Sequence, residues 1–116
     1  MKLKLLLICG LVAFHLSAQE EYPQNYFAPP LDGQLRVSGT FSELRSNHFH
    51  SGIDLKTGGV VGKPVLAAAE GYITRIKVSP YGYGKALYMR HPNGYTTVYA
   101  HLSRFDAEIE SYVKQQ

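Results

Sequence analysis

The order of apolar and polar residues between positions 72 and 102 predicts an antiparallel sheet. Residues 72–78 alternate in the way that is typical of a half-buried strand. One face carries Tyr72, Thr74, Ile76 and Val78, and the other carries Ile73, Arg75 and Lys77. Residues 85–91 and 95–102 are rich in β-branched and aromatic residues and flank the dipeptide Asn93-Gly94. Because an Asn-Gly turn adopts positive φ at little cost, these two segments are predicted to form a hairpin.

The remaining segments complete a mainly β fold with one short terminal helix. Residues 36–41 predict a short, glycine-interrupted strand, and residues 64–69 form an apolar run. Asp106 can cap a helix that ends at Gln116. The apolar positions on one face of this helix are Ile109, Tyr112 and Val113.

The first 18 residues have the three parts of a secretory signal peptide. Lys2 and Lys4 give a positive start, residues 5–14 form an apolar core, and residues 17–18 offer a small-residue cleavage site. A core of about ten residues is too short for a membrane span of roughly twenty. We therefore expect residues 1–18 to direct export to the periplasm, the cell envelope or the exterior, and the mature chain to have no membrane span. A retained N-terminal anchor is the alternative.

The chain that begins at residue 19 has a nearly balanced charge and no cysteine. Its 98 residues carry ten basic and nine acidic side chains, a net charge of +1 against +3 for the whole chain. No run of Lys or Arg remains, which excludes a nucleic-acid binder. Cys9 leaves with the signal, and the bulky Ile8 argues against its lipidation, so a disulfide scaffold and a thiolate nucleophile are excluded. Residues 19–32 contain three prolines and are predicted to be an extended leader that lies on the domain or is partly disordered.

The spacing of His50 and Asp54 is compatible with a shared metal ion only if the chain bends. On a straight strand the two side chains lie on one face, but their Cα atoms are about 13 Å apart. Zinc donors lie about 2 Å from the metal, and Gly52 is the intervening residue that permits a bend. The alternative is that His48 and His50 simply alternate along an exposed strand edge.

Two later histidines have simpler interpretations from spacing alone. His101 lies on a predicted strand between Ala100 and Leu102, and is either a half-buried histidine with satisfied hydrogen bonds or a catalytic one. His91 lies next to the Asn-Gly turn and is expected to be exposed to solvent.

Three segments occur in the order and at the spacing of a known enzyme family. They read Phe-His-Ser-Gly-Ile-Asp-Leu at 49–55, Gly-Lys-Pro-Val-Leu-Ala-Ala-Ala-Glu-Gly at 62–71, and Asn-Gly-Tyr-Thr-Thr-Val-Tyr-Ala-His-Leu-Ser at 93–103. Over residues 33–105 the chain thereby resembles the lysostaphin-type zinc metallopeptidases, the twenty-third metallopeptidase family. The resemblance implies an antiparallel β domain of the duplicated hybrid motif kind. It also implies a Zn²⁺ endopeptidase that cuts the peptide cross-links of bacterial peptidoglycan.

The resemblance implies roles for three residues. His50 and Asp54 match the first two zinc ligands of the family, and His101 matches an active-site histidine that does not bind the metal. Such a histidine can hydrogen-bond the attacking water or the oxyanion. Zinc polarises the scissile carbonyl and lowers the pKa of its water. Three tyrosines in or near the glycine-rich loops either line a groove for an extended peptide or simply pack on the surface, namely Tyr81, Tyr83 and Tyr88.

One part of the family pattern is missing. The family carries a later His-x-His motif with the third zinc ligand, whereas no histidine follows His101 in this sequence. Zinc hydrolases use three protein ligands plus water, so residues 33–116 are interpreted as the N-terminal part of such a domain. The 116-residue chain itself is expected to be inactive and to bind zinc weakly. His48 is the first candidate for an unrecognised third ligand.

Two other functions stay open at this stage. The chain is alternatively a non-catalytic, peptidase-like envelope protein that binds or regulates cell-wall hydrolases, although the presence of His50 and Asp54 counts against this. It is alternatively a structural β module of the envelope. The sequence makes no prediction of the oligomeric state.

Overall fold

The computed structural model describes residues 22–115. Its elements are β1 (Val37–Gly39), β2 (Asp54–Leu55), β3 (Tyr72–Val78), β4 (Lys85–Arg90), β5 (Thr96–Leu102) and α1 (Ala107–Lys114). β1 and β2 form an antiparallel pair, and β3, β4 and β5 form a three-stranded antiparallel sheet in that order. The prediction of a mainly antiparallel β fold with one short helix is confirmed. The predicted signal peptide lies outside the described residues.

The β4–β5 hairpin forms where the Asn-Gly turn predicted it. His91 and Tyr95 close the turn, because the His91 N–H donates to the Tyr95 carbonyl at 2.9 Å. Gly94 has a φ of 86°, which a residue with a Cβ rarely adopts. The Asn93 side chain accepts from the Tyr95 N–H at 3.1 Å. The strands stop one residue short of the predicted bounds on each side of the turn.

β3 departs from its predicted alternation at Thr74. The pairing of β3 with β4 shifts register between Ile73 and Arg75, so Thr74 is an extra residue without a partner on β4. Side chains beyond this bulge no longer follow the alternation counted from Tyr72. Within the described part of the chain only Ile76 of this strand is partly buried. The predicted half-buried strand is therefore an exposed edge strand.

The apolar run at residues 64–69 bonds to the proline-rich segment before β1 and does not form a strand. The Ala28 N–H donates to the Ala68 carbonyl at 2.6 Å, and the Leu66 N–H donates to the Pro30 carbonyl at 2.9 Å. Prolines lack the N–H that a regular ladder requires, which limits the pairing to these isolated bonds. The contact buries Leu31 and Ala68, two of the most buried apolar residues among those described.

His91 is buried, so the prediction that it is exposed is wrong. Its side chain is 2 % exposed. Nδ1 lies 2.8 Å from the Glu70 carbonyl, and Nε2 lies 2.8 Å from the Thr97 hydroxyl. The ring of Phe27 meets the imidazole edge-on at 5.2 Å between centroids. His91 therefore joins the leader, the segment before β3 and the hairpin, and sequence proximity to the turn did not indicate this.

Helix α1 begins at the predicted cap. The Asp106 carboxylate accepts from the Glu108 N–H at 3.0 Å, which satisfies one of the free donors of the first turn. Ile109 and Val113 are partly buried, whereas Tyr112 is 61 % exposed. Among residues 22–115 no helix is both long enough and apolar enough to cross a membrane.

Glu110 connects α1 to the sheet. Its carboxylate accepts from the Phe105 N–H at 3.2 Å and from Lys85 Nζ at 3.4 Å. The backbone hydrogen bond from Phe105, more than the Lys85 contact, lowers the pKa of Glu110 below its usual value. The buried Phe105 ring lies under Lys85, whose Nζ is 5.7 Å from the ring centroid.

We expect His91→Ala to lower the free energy of unfolding by about 2–4 kcal/mol, because it leaves a cavity and removes the hydrogen-bond partner of the Glu70 carbonyl and one of the two partners of the Thr97 hydroxyl. Urea unfolding measures this loss. His48→Ala is the matched control, because His48 is exposed and its side chain bonds only to the adjacent Asn47. The control is expected to change stability by less than about 0.5 kcal/mol. Equal losses in the two variants would contradict the structural role of His91.

Candidate metal site

His50 and Asp54 meet because the chain bends between them. His50 Nε2 lies 3.2 Å from Asp54 Oδ1, although a straight strand would hold their Cα atoms about 13 Å apart. The bend falls at Gly52, as the sequence predicted. Its φ is not positive, and a Cβ built at Gly52 would meet His50 Nε2 at an ordinary 3.8 Å. The bend therefore does not require glycine, but glycine keeps this side of Nε2 free of a side chain.

A short hairpin-like loop over residues 40–50 fixes the backbone of His50. The Ser42 N–H donates to the His50 carbonyl at 2.7 Å, and the His50 N–H donates to the Glu43 carbonyl at 2.8 Å. Leu44 and Phe49 form a further antiparallel bridge inside this loop. His50 therefore belongs to a closed loop and not to a free strand edge, which makes the edge interpretation wrong.

The orientation of the His50 ring determines which nitrogen is available. Nδ1 lies 3.0 Å from the Thr40 carbonyl, which only accepts, and 3.3 Å from Arg45 Nη2, which only donates. The shorter of these contacts is a hydrogen bond when Nδ1 carries the proton. In the neutral imidazole Nε2 then presents a lone pair to Asp54 Oδ1. Two acceptors at this distance repel each other unless a proton or a metal cation lies between them. Nε2 and Oδ1 can therefore lie this close only with a proton or a metal cation between them.

Arg45 neutralises the Asp54 carboxylate from the other side. Its Nη2 donates to Asp54 Oδ2 at 2.6 Å and lies 3.4 Å from a Glu43 carboxylate oxygen. The hydrogen bond from Arg45 is the main reason that the pKa of Asp54 lies below its usual 3.8. Desolvation acts in the opposite direction, and the charges of His50 and His101, when these rings are protonated, and of Arg45 lower the pKa further. The Asp54 carboxylate is therefore ionised at neutral pH and can offer a lone pair to a cation.

Gly39 provides the room for this ion pair. Gly39 is buried in β1 and is paired with Asp54 across the β1–β2 ladder. A Cβ at this position would overlap both Asp54 Oδ2 and Arg45 Nη2. Sequence reasoning did not identify Arg45 or Gly39 as site residues. The glycine that interrupts a predicted strand was the one available signal, because a strand interior disfavours glycine unless a close approach needs it.

His101 faces the same region but does not contact the His50–Asp54 pair. Its backbone φ is 56°, at a point where the β4–β5 register shifts, and its N–H donates to the Tyr83 carbonyl at 2.9 Å. The side chain is exposed, so the interpretation as a half-buried histidine is wrong. Its charge, when the ring is protonated, lowers the pKa of Asp54. Left-handed backbone at a non-glycine residue is strained and is frequent at functional sites.

Of the three tyrosines predicted to line a groove, Tyr83 lies next to the site. Its hydroxyl is 2.7 Å from the Ser51 hydroxyl, one residue after His50. Tyr81 is 85 % exposed. Tyr88 lies in β4 beneath the Arg75 guanidinium, which is 5.3 Å from its ring centroid.

A third metal ligand is not found within residues 22–115. No group of three or more His, Cys, Asp or Glu side chains in this part of the chain could hold a metal ion. His48 Nδ1 lies 2.6 Å from the Asn47 side-chain oxygen, and His48 does not join the His50–Asp54 pair. The described residues therefore supply two candidate ligands.

Comparison with known sequences identifies the class of protein. Residues 48–116 match the profile of the family described as Peptidase family M23. This match covers more than half of the chain, and the chain belongs to that family. The resemblance to lysostaphin-type metallopeptidases is thereby confirmed.

Three curated relatives illustrate the similarity. The chain is 47 % identical over 62 residues to the DD-carboxypeptidase/endopeptidase Mpg of Neisseria meningitidis serogroup B, covering 53 % of this chain and 14 % of that protein. It is 35 % identical over 92 residues to an uncharacterized metalloprotease of Haemophilus influenzae, covering 74 % and 19 %. It is 32 % identical over 94 residues to the peptidoglycan DD-endopeptidase ShyC of Vibrio cholerae, covering 78 % and 21 %. The matched region is thus about a fifth or less of each relative, and no solved structure matches the chain.

We expect the free energy of unfolding of His101→Gly to equal that of the wild type or to exceed it by up to about 1 kcal/mol. The reason is that glycine adopts positive φ without the Cβ penalty. His101→Ala keeps that penalty and is the control, with stability within about 0.5 kcal/mol of the wild type because the side chain is exposed. Urea unfolding of the three proteins measures the difference. If His101→Gly were the least stable of the three, His101 would not be strained.

Proposed function

We propose that the chain is part of an exported zinc metalloendopeptidase that acts on the peptide cross-links of bacterial peptidoglycan. The observation that carries the proposal is the pairing of His50 Nε2 with Asp54 Oδ1 at 3.2 Å, with the opposite ring nitrogen bonded to the Thr40 carbonyl. Membership of Peptidase family M23 supports a peptidase. The names of two relatives support an endopeptidase, and one of them includes peptidoglycan.

The donor set suits zinc. Zinc in proteins takes imidazole nitrogen and carboxylate oxygen at about 2.0–2.2 Å in tetrahedral geometry, which separates two donor atoms by about 3.3 Å. The Nε2–Oδ1 distance of 3.2 Å is close to this value. The hydrogen bond from His50 Nδ1 to a backbone carbonyl is the usual support of a zinc-binding histidine. Catalytic zinc needs three protein ligands, and in this proposal the third comes from outside residues 22–115.

Each residue of the site has a separate task in the proposed reaction. His50 provides a neutral nitrogen and Asp54 an ionised oxygen, so that together they hold a divalent cation with one negative charge. Zinc, when bound, polarises the scissile carbonyl and lowers the pKa of its water. The exposed imidazole of His101 can hold or move a proton at Nδ1 or Nε2 and can donate a hydrogen bond to a developing oxyanion.

Export is part of the proposal because the substrate lies outside the cytoplasm. The positive start, apolar core and small-residue site within residues 1–18 support a cleaved signal peptide. One relative is named as a peptidoglycan DD-endopeptidase, and peptidoglycan is a polymer of the cell wall. The mature protein is accordingly proposed to begin at or near Gln19.

We expect His50→Ala and Asp54→Ala, in a chain that carries the third ligand, to lose both bound zinc and hydrolysis of muropeptides, because each removes a donor atom. His101→Ala is expected to keep zinc and to lose about 10²–10⁴ in rate, the usual effect of removing a proton-transfer or oxyanion group. Bound zinc is measured by atomic absorption, and hydrolysis by chromatography of the products. His48→Ala is the control that keeps both.

Two outcomes would contradict this proposal. Loss of zinc from the His101→Ala protein would mean that His101 binds the metal. A wild-type chain with a full zinc complement and no hydrolysis of any cross-linked muropeptide would favour the non-catalytic regulator of cell-wall hydrolases.

A further inference from the structure

Arg45 donates a hydrogen bond to Asp54 at the oxygen that a metal would not use, and it lies beside His50 on the side away from Nε2. Its Nη2 lies 2.6 Å from Asp54 Oδ2 and 3.3 Å from His50 Nδ1. The atoms that face each other across the candidate site are the other two, Asp54 Oδ1 and His50 Nε2. One guanidinium nitrogen therefore lies behind the pair and leaves its two donor atoms open.

From this arrangement we infer that Arg45 is a positioning residue that holds the Asp54 carboxylate with Oδ1 alone presented beside His50 Nε2. The inference rests on the proposed zinc site and extends it to a residue that does not bind the metal. A carboxylate can rotate and can bind a metal through either or both oxygens. A short, charge-assisted hydrogen bond to Oδ2 removes that freedom.

A second carboxylate connects the supports of the two ligands. Glu43 Oε2 accepts from the Thr40 N–H at 3.2 Å and lies 3.4 Å from Arg45 Nη2. The Thr40 carbonyl in turn accepts from His50 Nδ1. Glu43 thus contacts Thr40, which orients His50. It also contacts Arg45, which orients Asp54. The two donor side chains are held by one connected set of hydrogen bonds and not by two independent ones.

The position of Arg45 is enforced by its surroundings. Gly39 is the residue whose missing side chain admits the Arg45–Asp54 pair, since a Cβ there would overlap Oδ2 and Nη2. Arg45 Nε is buried without a hydrogen-bond partner among the described residues. A buried donor without a partner lowers stability. The hydrogen bond from Nη2 to Asp54 offsets this cost.

The positive charge of Arg45 has two opposite effects on a metal. It orients Asp54, which favours binding, and it repels a divalent cation, which disfavours binding. The side chains of Arg45 and Asp54 are 37 % and 41 % exposed, so solvent screens the repulsion. Loss of an orienting partner typically lowers metal affinity by about 10–100-fold. We therefore expect the orienting effect to dominate.

The test measures zinc binding, by competition with a colorimetric chelator, to a chain that carries the third ligand, because the 116-residue chain alone is expected to bind zinc weakly. Arg45→Gln and Arg45→Lys are both expected to weaken zinc binding by about 10-fold or more, because neither glutamine nor the point charge of lysine reproduces the guanidinium contact. Arg36→Gln removes an exposed positive charge elsewhere and is expected to leave the affinity unchanged. Unchanged or tighter zinc binding in Arg45→Gln would overturn the inference. It would show that Arg45 has no orienting effect and only repels the cation.

A metal-free measurement separates failure of this inference from failure of the proposed function. The three-bond couplings of the two Asp54 Hβ protons report whether its χ1 angle is fixed. Unequal couplings are expected in the wild type and averaged couplings in Arg45→Gln, with urea unfolding as the check that the variant is folded. If Arg45→Gln does not fold, Arg45→Lys takes its place in this measurement. Absence of zinc binding in every protein would contradict the zinc site, whereas identical Asp54 couplings in wild type and variant would overturn the role of Arg45.

Discussion

The hydrogen bond between His50 Nδ1 and the Thr40 carbonyl is the interaction on which the site depends. It places the proton of the neutral ring on Nδ1 and leaves the lone pair of Nε2 facing Asp54 Oδ1. Thr40 can do this because it directly follows β1, whose partner strand begins with Asp54. A two-strand pair too short to be stable alone therefore holds the two candidate ligands together, and the bend at Gly52 brings them within 3.2 Å.

The local elements of the fold could be predicted from the sequence because their causes are local. The Asn93-Gly94 turn and the Asp106 cap satisfy their own backbone groups, and both occur where they were predicted. The bulge at Thr74 and the burial of His91 depend on contacts with residues distant in sequence, among them Phe27 and Glu70. Periodicity and proximity to a turn do not contain that information.

The same distinction applies to the candidate site. The spacing of His50 and Asp54 left a shared site open, the family resemblance implied it, and the structure brings the two side chains together. Arg45 and Gly39 were missed, since an arginine carries no spacing signal and its partner is nine residues away. Membership of Peptidase family M23 gives this pair a chemical context that neither geometry nor composition provides. Ser42 and His101 both have left-handed backbone near the site, and the hairpin that carries His101 was predicted from its Asn-Gly turn.

The central claim is that His50 keeps its proton on Nδ1 for Thr40 and offers Nε2 to zinc beside Asp54. Long-range ¹H–¹⁵N correlation spectra of the imidazole rings, recorded without zinc and with saturating zinc, test this claim most directly. The account predicts a protonated Nδ1 in the neutral ring and a zinc-induced shift at Nε2 of His50, with no shift at either nitrogen of the buried His91. A zinc-induced shift at Nδ1 of His50, or no shift at either of its nitrogens, would contradict it.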